Sequence, residues 1–350
     1  MVKRILLGTL TLIALAFVVI VISVVQFDVP REELVGKYAG GASQFVTLPS
    51  GASAHMRDEG NPDGPVLVLV HGSNASLHTW EPWVAELGDS YRIVSMDLPG
   101  HGLTGRVPGD DYTREGMANF VGELMDVLDV DRFAIAGNSM GGGVAAQYTL
   151  EHPDRISALI LVDSAGIPVE RKEEDVPLAF RLARMPVVSN VMRYVLPRSV
   201  VEEGVRKVFV DQSKVTDEMV SRYFDLSLHE GNRDATRIRF RSYASRDEEA
   251  FAARLGEIEV PVLVIWGDKD GLIPVSAAHE FKKRIPQAEL AIFENVGHVP
   301  MEEVPEASAV AVRDFLVSAL AASSSTSPGS PTAAGAAENE GGEAVPEAVE

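Results

Sequence analysis

Ser139 and His298, with one of Asp163, Asp268 and Asp270, are residue types suited to nucleophilic attack on a carbonyl. A serine hydroxyl is a weak nucleophile near neutral pH. It becomes effective when a histidine takes its proton and a carboxylate fixes the histidine tautomer and stabilises its cation. Ser139 stands in Gly137-Asn-Ser-Met-Gly141, a G-x-S-x-G pentapeptide. Such a pentapeptide is informative where a buried strand enters it and a helix leaves it. The serine then sits on a sharp turn, lifted clear of the backbone, and the flanking glycines let neighbouring chain pass close. Residues 133–136 read as that strand, and Gly142-Gly143-Val-Ala-Ala-Gln-Tyr148 as that helix. His298 follows Gly297 and a strand candidate at 290–293. Gly267-Asp-Lys-Asp270 follows another at 262–266, and Asp163 a third at 158–162.

A developing oxyanion also needs donors. His71-Gly72-Ser73-Asn74 follows the apolar run Val66–Val70, so the backbone N–H groups of Ser73 and Met140 are the candidates. Losing one such donor typically costs about 10²–10³ in rate. His71 is read as a structural turn residue rather than a base. The remaining histidines, His55, His78, His101, His152, His229 and His279, lack comparable context; His101 lies in Asp97-Leu-Pro-Gly-His-Gly102, read as a loop beside the site.

The elements that must position these groups alternate. Strand candidates at 44–48 and 52–57 flank the turn Pro49-Ser-Gly51 as a hairpin, and Val66–Val70 is apolar throughout, as a strand covered on both faces should be. Arg92–Met96 adds a further strand. Between strands, 117–128 carries Met117, Phe120, Val121, Leu124, Met125 and Leu128 at helical spacing. Alternation of this kind predicts a mainly parallel sheet with helices on both faces, whose ligands bind beyond the carboxyl ends of the strands. Residues 167–255 break the rhythm: they hold helical patterns such as 178–182 and 200–210 and no buried strand, which predicts a helical cap inserted between core segments 43–166 and 256–321. Across 177–201 apolar residues alternate with Arg181, Arg184, Arg193 and Arg198, a pattern suited to lipid headgroups and equally to packing of the cap.

The two ends differ from this core. Residues 5–27 carry no charge. As a helix they rise about 1.5 Å per residue and span a hydrocarbon layer of about 30 Å. Lys3 and Arg4 precede the run, and Asp28, Glu32 and Glu33 follow it. The positive-inside rule then keeps the N-terminus cytoplasmic and places the catalytic domain outside. A cleaved signal peptide is the competing reading, but its apolar core is shorter and ends in small residues. The expected organisation is thus an anchor over 1–27, a linker over 28–42, the capped core, and a disordered acidic tail over 322–350, whose Ser, Pro, Gly, Ala and Glu cannot bury enough surface to offset ordering. The sequence has no cysteine, which excludes disulfides, thiolate catalysis and cysteine-ligated metals. No metal-ligand spacing is evident, and acyl transfer by serine needs no cofactor. The formal charge of −20 argues against nucleic acid as a partner, since phosphate binding needs clustered cations. The expected partners are a small-molecule ester or lipid and, through residues 5–27, a membrane.

Five segments in order carry a family resemblance: His71-Gly72, Asp97-x-Pro-Gly-His-Gly102, Gly137-Asn-Ser-Met-Gly-Gly142, Trp266-Gly-x-x-Asp270 and Gly297-His298-x-Pro-x-Glu302. Across residues 44–320 the chain resembles the α/β-hydrolase superfamily, in its branch of capped serine esterases and lipases. The resemblance implies an eight-stranded, mainly parallel sheet and assigns the acid to Asp270. The anchor, the short cap and Glu294-Asn-Val-Gly-His298 are similar to the membrane-anchored monoacylglycerol lipase type. Asn138-Ser-Met-Gly-Gly142 is similar to carbon–carbon bond hydrolases of aromatic ring-fission products, although those usually place tryptophan after the histidine, where this sequence has Val299. Cofactor-free perhydrolases keep the same triad, and some members of the fold serve as non-catalytic receptors. The serine nucleophile separates the chain from haloalkane dehalogenases and epoxide hydrolases, which use aspartate.

Overall fold

The computed structural model describes residues 25–168, 185, 194–243 and 248–325. Its centre is a sheet of eight strands: β1 (Ser43–Thr47), β2 (Ser53–Gly60), β3 (Val66–Val70), β4 (Arg92–Met96), β5 (Phe133–Asn138), β6 (Ile156–Val162), β7 (Val262–Gly267) and β8 (Glu289–Phe293). The spatial order is β1-β2-β4-β3-β5-β6-β7-β8. β1 and β2 pair antiparallel, as do β2 and β4, and every later pair is parallel. All eight strands expected from the sequence are present. The sheet explains their composition: β5, β6 and β7 are buried at every residue, whereas the edge strands β1 and β8 are partly exposed throughout.

Eleven α-helices lie among the described residues. Before β7 they are α1 (Arg31–Tyr38), α2 (Glu81–Leu87), α3 (Arg114–Val127), α4 (Met140–Glu151), α5 (Arg198–Val208), α6 (Asp217–Ser227), α7 (Asn232–Tyr243) and α8 (Glu248–Arg254). After it come α9 (Ser276–Arg284), α10 (Pro300–Glu303) and α11 (Pro305–Ser325). One apolar layer joins α3, α4 and α9 to the sheet through Phe120, Val144, Trp266 and Phe281. The opposite layer joins α2 and α11 through Trp83, Leu87, Phe315 and Leu316. Helix α3 starts earlier than its apolar spacing alone indicates, because Thr113 caps it by accepting from Gly116 N at 3.0 Å.

Between β6 and β7 the described residues hold α5 to α8 and no strand. The insertion is fastened to the core by Arg114, whose guanidinium pairs with Glu248 at 2.6 Å and lies 3.6 Å from the Phe251 ring centroid. The helical pattern at 178–182 lies outside the described residues.

The sequence predicts a plain linker over 28–42, and here the structure differs. Helix α1 packs Leu34 and Tyr38 against Leu103 of the core and Leu226 of the insertion. Tyr38 Oη donates to Asp225 at 2.7 Å, and Arg31 donates to Thr104 O at 2.9 Å. Leu34 and Tyr38 are spaced four apart and face inward together, a signal too short to stand out from a polar stretch. Helix α11 runs on to Ser325, beyond the expected end of the core at 321. Residues 5–24 of the expected membrane span and most of the acidic tail fall outside the described residues; residues 25–27 are described and are not helical, and among the described residues no helix is long and apolar enough to cross a membrane.

Candidate active site

The chain leaves β3 for β4 on one side and returns to β5 on the other. Loops leaving the carboxyl ends of β3 and β5 therefore diverge and open a crevice, the usual ligand site of such sheets. β3 ends at His71-Gly72 and β5 at Asn138, so both loops expected to hold chemistry flank that crevice.

Ser139 occupies the turn between β5 and α4 with φ 54° and ψ −119°. A side chain in that region costs roughly 1–3 kcal/mol, so the surroundings must enforce it. Ser139 N donates to Val162 O at 2.9 Å, and Ser139 O accepts from Ala165 N at 2.8 Å and Gly142 N at 3.1 Å. Of residues 133–149, Ser139 alone is not buried. The glycines explain how the turn closes. A methyl on Gly141 would lie 2.5 Å from His71 O, and one on Gly137 2.6 Å from Gly142 N.

His298 stands on the loop after β8. Its Nδ1–H donates to Asp270 Oδ2 at 2.7 Å. Asp270 Oδ1 accepts from Leu272 N at 2.7 Å and Ile273 N at 3.0 Å. Both side chains are almost wholly buried. With the proton held on Nδ1, the Nε2 lone pair is the basic one. Asp268 is occupied elsewhere, by Lys269 Nζ and Asn295 N, each at 2.6 Å. Asp163 lies near Asp270 without bonding the imidazole. Asn138 joins the two halves: its Nδ2 donates to Val162 O at 3.2 Å and to His298 O at 3.0 Å. Asp270 and His298 are therefore in direct contact, and Ser139 stands on the same rim. Ser139 Oγ itself has no hydrogen-bond partner among the described residues; nucleophile–base bonds are often long without substrate and tighten with it.

A methyl built on Gly72 would lie 3.2 Å from Ser139 Cβ, so the loop after β3 packs directly on Ser139. The N–H groups of Ser73 and Met140 meet no acceptor among the described residues. The loop is braced in a way the sequence did not reveal. Arg239 of α7, 1% exposed, donates through Nη2 to Ser73 Oγ and Asn74 Oδ1, each at 2.9 Å, and through Nη1 to His101 Nε2. In a sequence, a buried arginine is indistinguishable from one on a solvated helix face.

His71 is structural, as expected. Its Nδ1–H donates to Gly72 O at 2.7 Å and its Nε2 accepts from Leu98 N at 2.9 Å. Burial pushes both His71 and His101 below the usual histidine range, so neither ring readily takes a proton. Asp97 organises the same region by accepting from His55 Nδ1–H, Leu77 N and Leu103 N, each at 2.7 Å. Burial alone would raise its carboxyl, but opposing influences, the largest of them His55, hold it below the ordinary range.

Glu303 is the second residue the sequence concealed. Its Oε2 accepts from Gly297 N at 2.7 Å, and its Oε1 from Val210 N at 2.8 Å and Asp211 N at 2.6 Å. With His298 N donating to Val208 O at 2.8 Å, these bonds tie the histidine loop to the end of α5. Glu302, the acidic residue of the sequence motif, bonds Thr79 instead and lies 3.5 Å from Tyr223 Oη. Burial pushes the Glu302 carboxyl up to about 7, against the opposing pull of Thr79 and Arg222. A carboxyl raised on folding stabilises the fold fully below its unfolded value and loses that contribution as pH rises through its folded value. Thermal melts from pH 4.5 to 8 are therefore expected to show a loss on the order of 2 kcal/mol that is absent in Glu302→Gln. Identical pH dependence in the two proteins would refute the assignment.

One atom each of Asp163, Asp270 and His298 lies within 4.8 Å of the others, a donor set that the sequence spacing did not suggest. The Nδ1–H to Asp270 bond already engages the imidazole of that set.

The comparisons with known proteins agree with this architecture. The family profile for the alpha/beta hydrolase fold matches residues 65–305. A 2-hydroxy-6-oxononadienedioate/2-hydroxy-6-oxononatrienedioate hydrolase of Paraburkholderia xenovorans is 31% identical over 291 residues, covering 78% of this chain and 95% of the relative. Among solved structures, a membrane phospholipase A described as a bacterial virulence factor superposes with a TM-score of 0.66 at 27% identity, covering 91% of this chain and 99% of its own. The 2-hydroxy-6-oxo-6-phenylhexa-2,4-dienoate hydrolase of Rhodococcus sp. strain RHA1 superposes with a TM-score of 0.67 at 25% identity, covering 79% of this chain and 99% of its own. The sheet order, the turn at residue 139, the bonded pair at 270 and 298 and these matches agree: the chain belongs to the α/β-hydrolase family.

Proposed function

We propose that the protein is a serine hydrolase that cleaves carboxylic esters, including lipid esters such as monoacylglycerols, through an acyl-enzyme. The observation that carries this reading is the combination at one rim of a partly exposed serine on an enforced positive-φ turn and a histidine oriented by a buried carboxylate. Ser139 attacks the ester carbonyl while His298 Nε2 takes its proton. Asp270 holds the imidazole and stabilises its cation. The N–H groups of Ser73 and Met140 receive the oxyanion, and Arg239 keeps the first of them in place. His298 returns the proton to the leaving alcohol, then activates the water that releases the acid.

Coverage of 91% of this chain by a membrane phospholipase A favours an ester of a lipid. In this reading residues 5–27 anchor the protein, the catalytic domain is extracytoplasmic, and the insertion over 167–255 caps the crevice and receives the acyl chain. A second reading, hydrolysis of a carbon–carbon bond in a vinylogous diketone, draws on Asn138-Ser-Met-Gly-Gly142 and on the relative that is 31% identical.

A substrate panel on detergent-solubilised protein tests the choice. p-Nitrophenyl and glycerol esters of medium and long acyl chains are expected to turn over at least about 100-fold faster than a ring-fission dienone, a preference of about 2.7 kcal/mol in transition-state binding. Turnover of the dienone with inert esters would select the second reading. Activity confined to acetyl esters would exclude a lipid substrate.

A further inference from the structure

Asp163 is a buried carboxyl to which the proposed mechanism gives no role. It follows β6, is 0% exposed and has φ 43°. Its N–H donates to Ile265 O at 2.9 Å, and its Oδ1 accepts from Gly267 N at 3.1 Å. Both partners belong to β7, the strand that leads to Asp270. Its Oδ2 is buried without a hydrogen-bond partner, and no lysine or arginine pairs with it among the described residues. The titratable groups facing it are Asp270, from the loop after β7, and His298 and Glu303, from the segment after β8.

Two ionised carboxylates this close, away from solvent, repel strongly, and one of them keeps a proton. Three donors point at Asp270, two backbone N–H groups and the His298 Nδ1–H. Asp163 has one such donor and an oxygen without any. Burial and the neighbouring Asp270 charge likewise push the Asp163 carboxyl well above the usual range.

We infer that Asp163 is a positioning residue for the catalytic acid: it carries a proton on Oδ2, presents it to Asp270, and becomes the ionised partner of His298 when Asp270 loses its charge. This inference rests on the proposed serine mechanism. The exchange balances: in wild type the proton that leaves Asp163 Oδ2 passes to Asp270, in Asp270→Asn it goes to solvent, and in both the negative charge beside the imidazole stays at one. The pair supplies a single shared charge, and the unsatisfied oxygen of Asp163 acquires a role as a donor.

Asp270→Asn, Asp163→Asn and the double variant test it on an ester substrate, with melting curves to confirm folding. Loss of the sole acid of a serine triad costs about 10⁴ in kcat. Asp270→Asn is expected to lose only about 10², its acid limb moved to higher pH than in wild type, because Asp163 must now give up its proton. The double variant is expected to lose about 10⁴ and to lack that limb. Infrared spectra of wild type should contain a carbonyl band of a neutral buried carboxylic acid that is missing in Asp163→Asn. Equal loss in Asp270→Asn and the double variant, no difference in that band, or a cation bound by the group in metal analysis of the purified protein would each overturn the inference. Failure of the serine reading is separate: wild type would then not be labelled by a fluorophosphonate, while the infrared band would persist.

Discussion

Ser139→Ala is expected to lower ester turnover by about 10⁶ in kcat, with labelling by a fluorophosphonate abolished and the fold intact. The magnitude follows from what the residue supplies. Without the hydroxyl no acyl-enzyme forms, and removing the serine of such a triad alone costs about as much as removing all three members, because they act as a unit. The residual rate comes from oxyanion donors and substrate binding. Stability should be nearly unchanged, within about 0.5 kcal/mol, because Ser139 Oγ makes no hydrogen bond among the described residues and alanine meets the same backbone angle. Ser139→Gly sharpens the case. Glycine adopts φ 54° freely, so this equally inactive variant should melt higher than Ser139→Ala, by about 1 kcal/mol in stability. The strain would then be retained for function at a cost to the fold. A Ser139→Ala enzyme keeping more than about one hundredth of wild-type turnover would remove Ser139 from the mechanism.

The second large effect is structural. Gly141→Ala is expected to lower stability by about 3 kcal/mol and turnover by about 10². Alanine ordinarily favours a helix over glycine by about 1 kcal/mol, so helix propensity predicts the opposite sign. Packing decides otherwise. A methyl at 141 would stand 2.5 Å from His71 O and 2.7 Å from Val70 C, both backbone atoms at the end of β3 that no rotamer change can move. Helix α4 must then shift from the sheet, carrying with it Met140 N, the proposed oxyanion donor. Gly204 in α5 is the control. It is exposed, and a methyl placed on it would meet nothing within 4 Å, so Gly204→Ala should stabilise by up to about 1 kcal/mol without changing turnover. Equal melting temperatures for Gly141→Ala and wild type would show that the elbow tolerates the shift.

The strands and the chemistry were readable because their signals are local. A strand covered on both faces must be apolar at every position, as in Val66–Val70 and 262–266, and a nucleophile turn needs glycine at fixed offsets from its serine. The choice among Asp163, Asp268 and Asp270 is of a different kind. All three follow parallel strands, and motif spacing selects Asp270 only by resemblance. The 2.7 Å bond to His298 distinguishes it, and that distance depends on β6, β7 and β8 lying side by side. The role of Glu303 instead of its neighbour Glu302, and the burial of Arg239 beneath the loop of Ser73, belong to the same class. So does the seating of α1 on both core and insertion.

Residue types and their spacing alone determined that this chain folds as alternating strands and helices and carries a serine, a histidine and aspartates at strand ends, because hydrophobic period and turn chemistry act over a few neighbouring residues. Tertiary structure decided which aspartate meets the histidine, which glutamate ties down its loop, and which arginine is buried. Those outcomes depend on contacts between segments up to 166 residues apart, where the free energy of desolvating a charge is set by partners that no local pattern encodes.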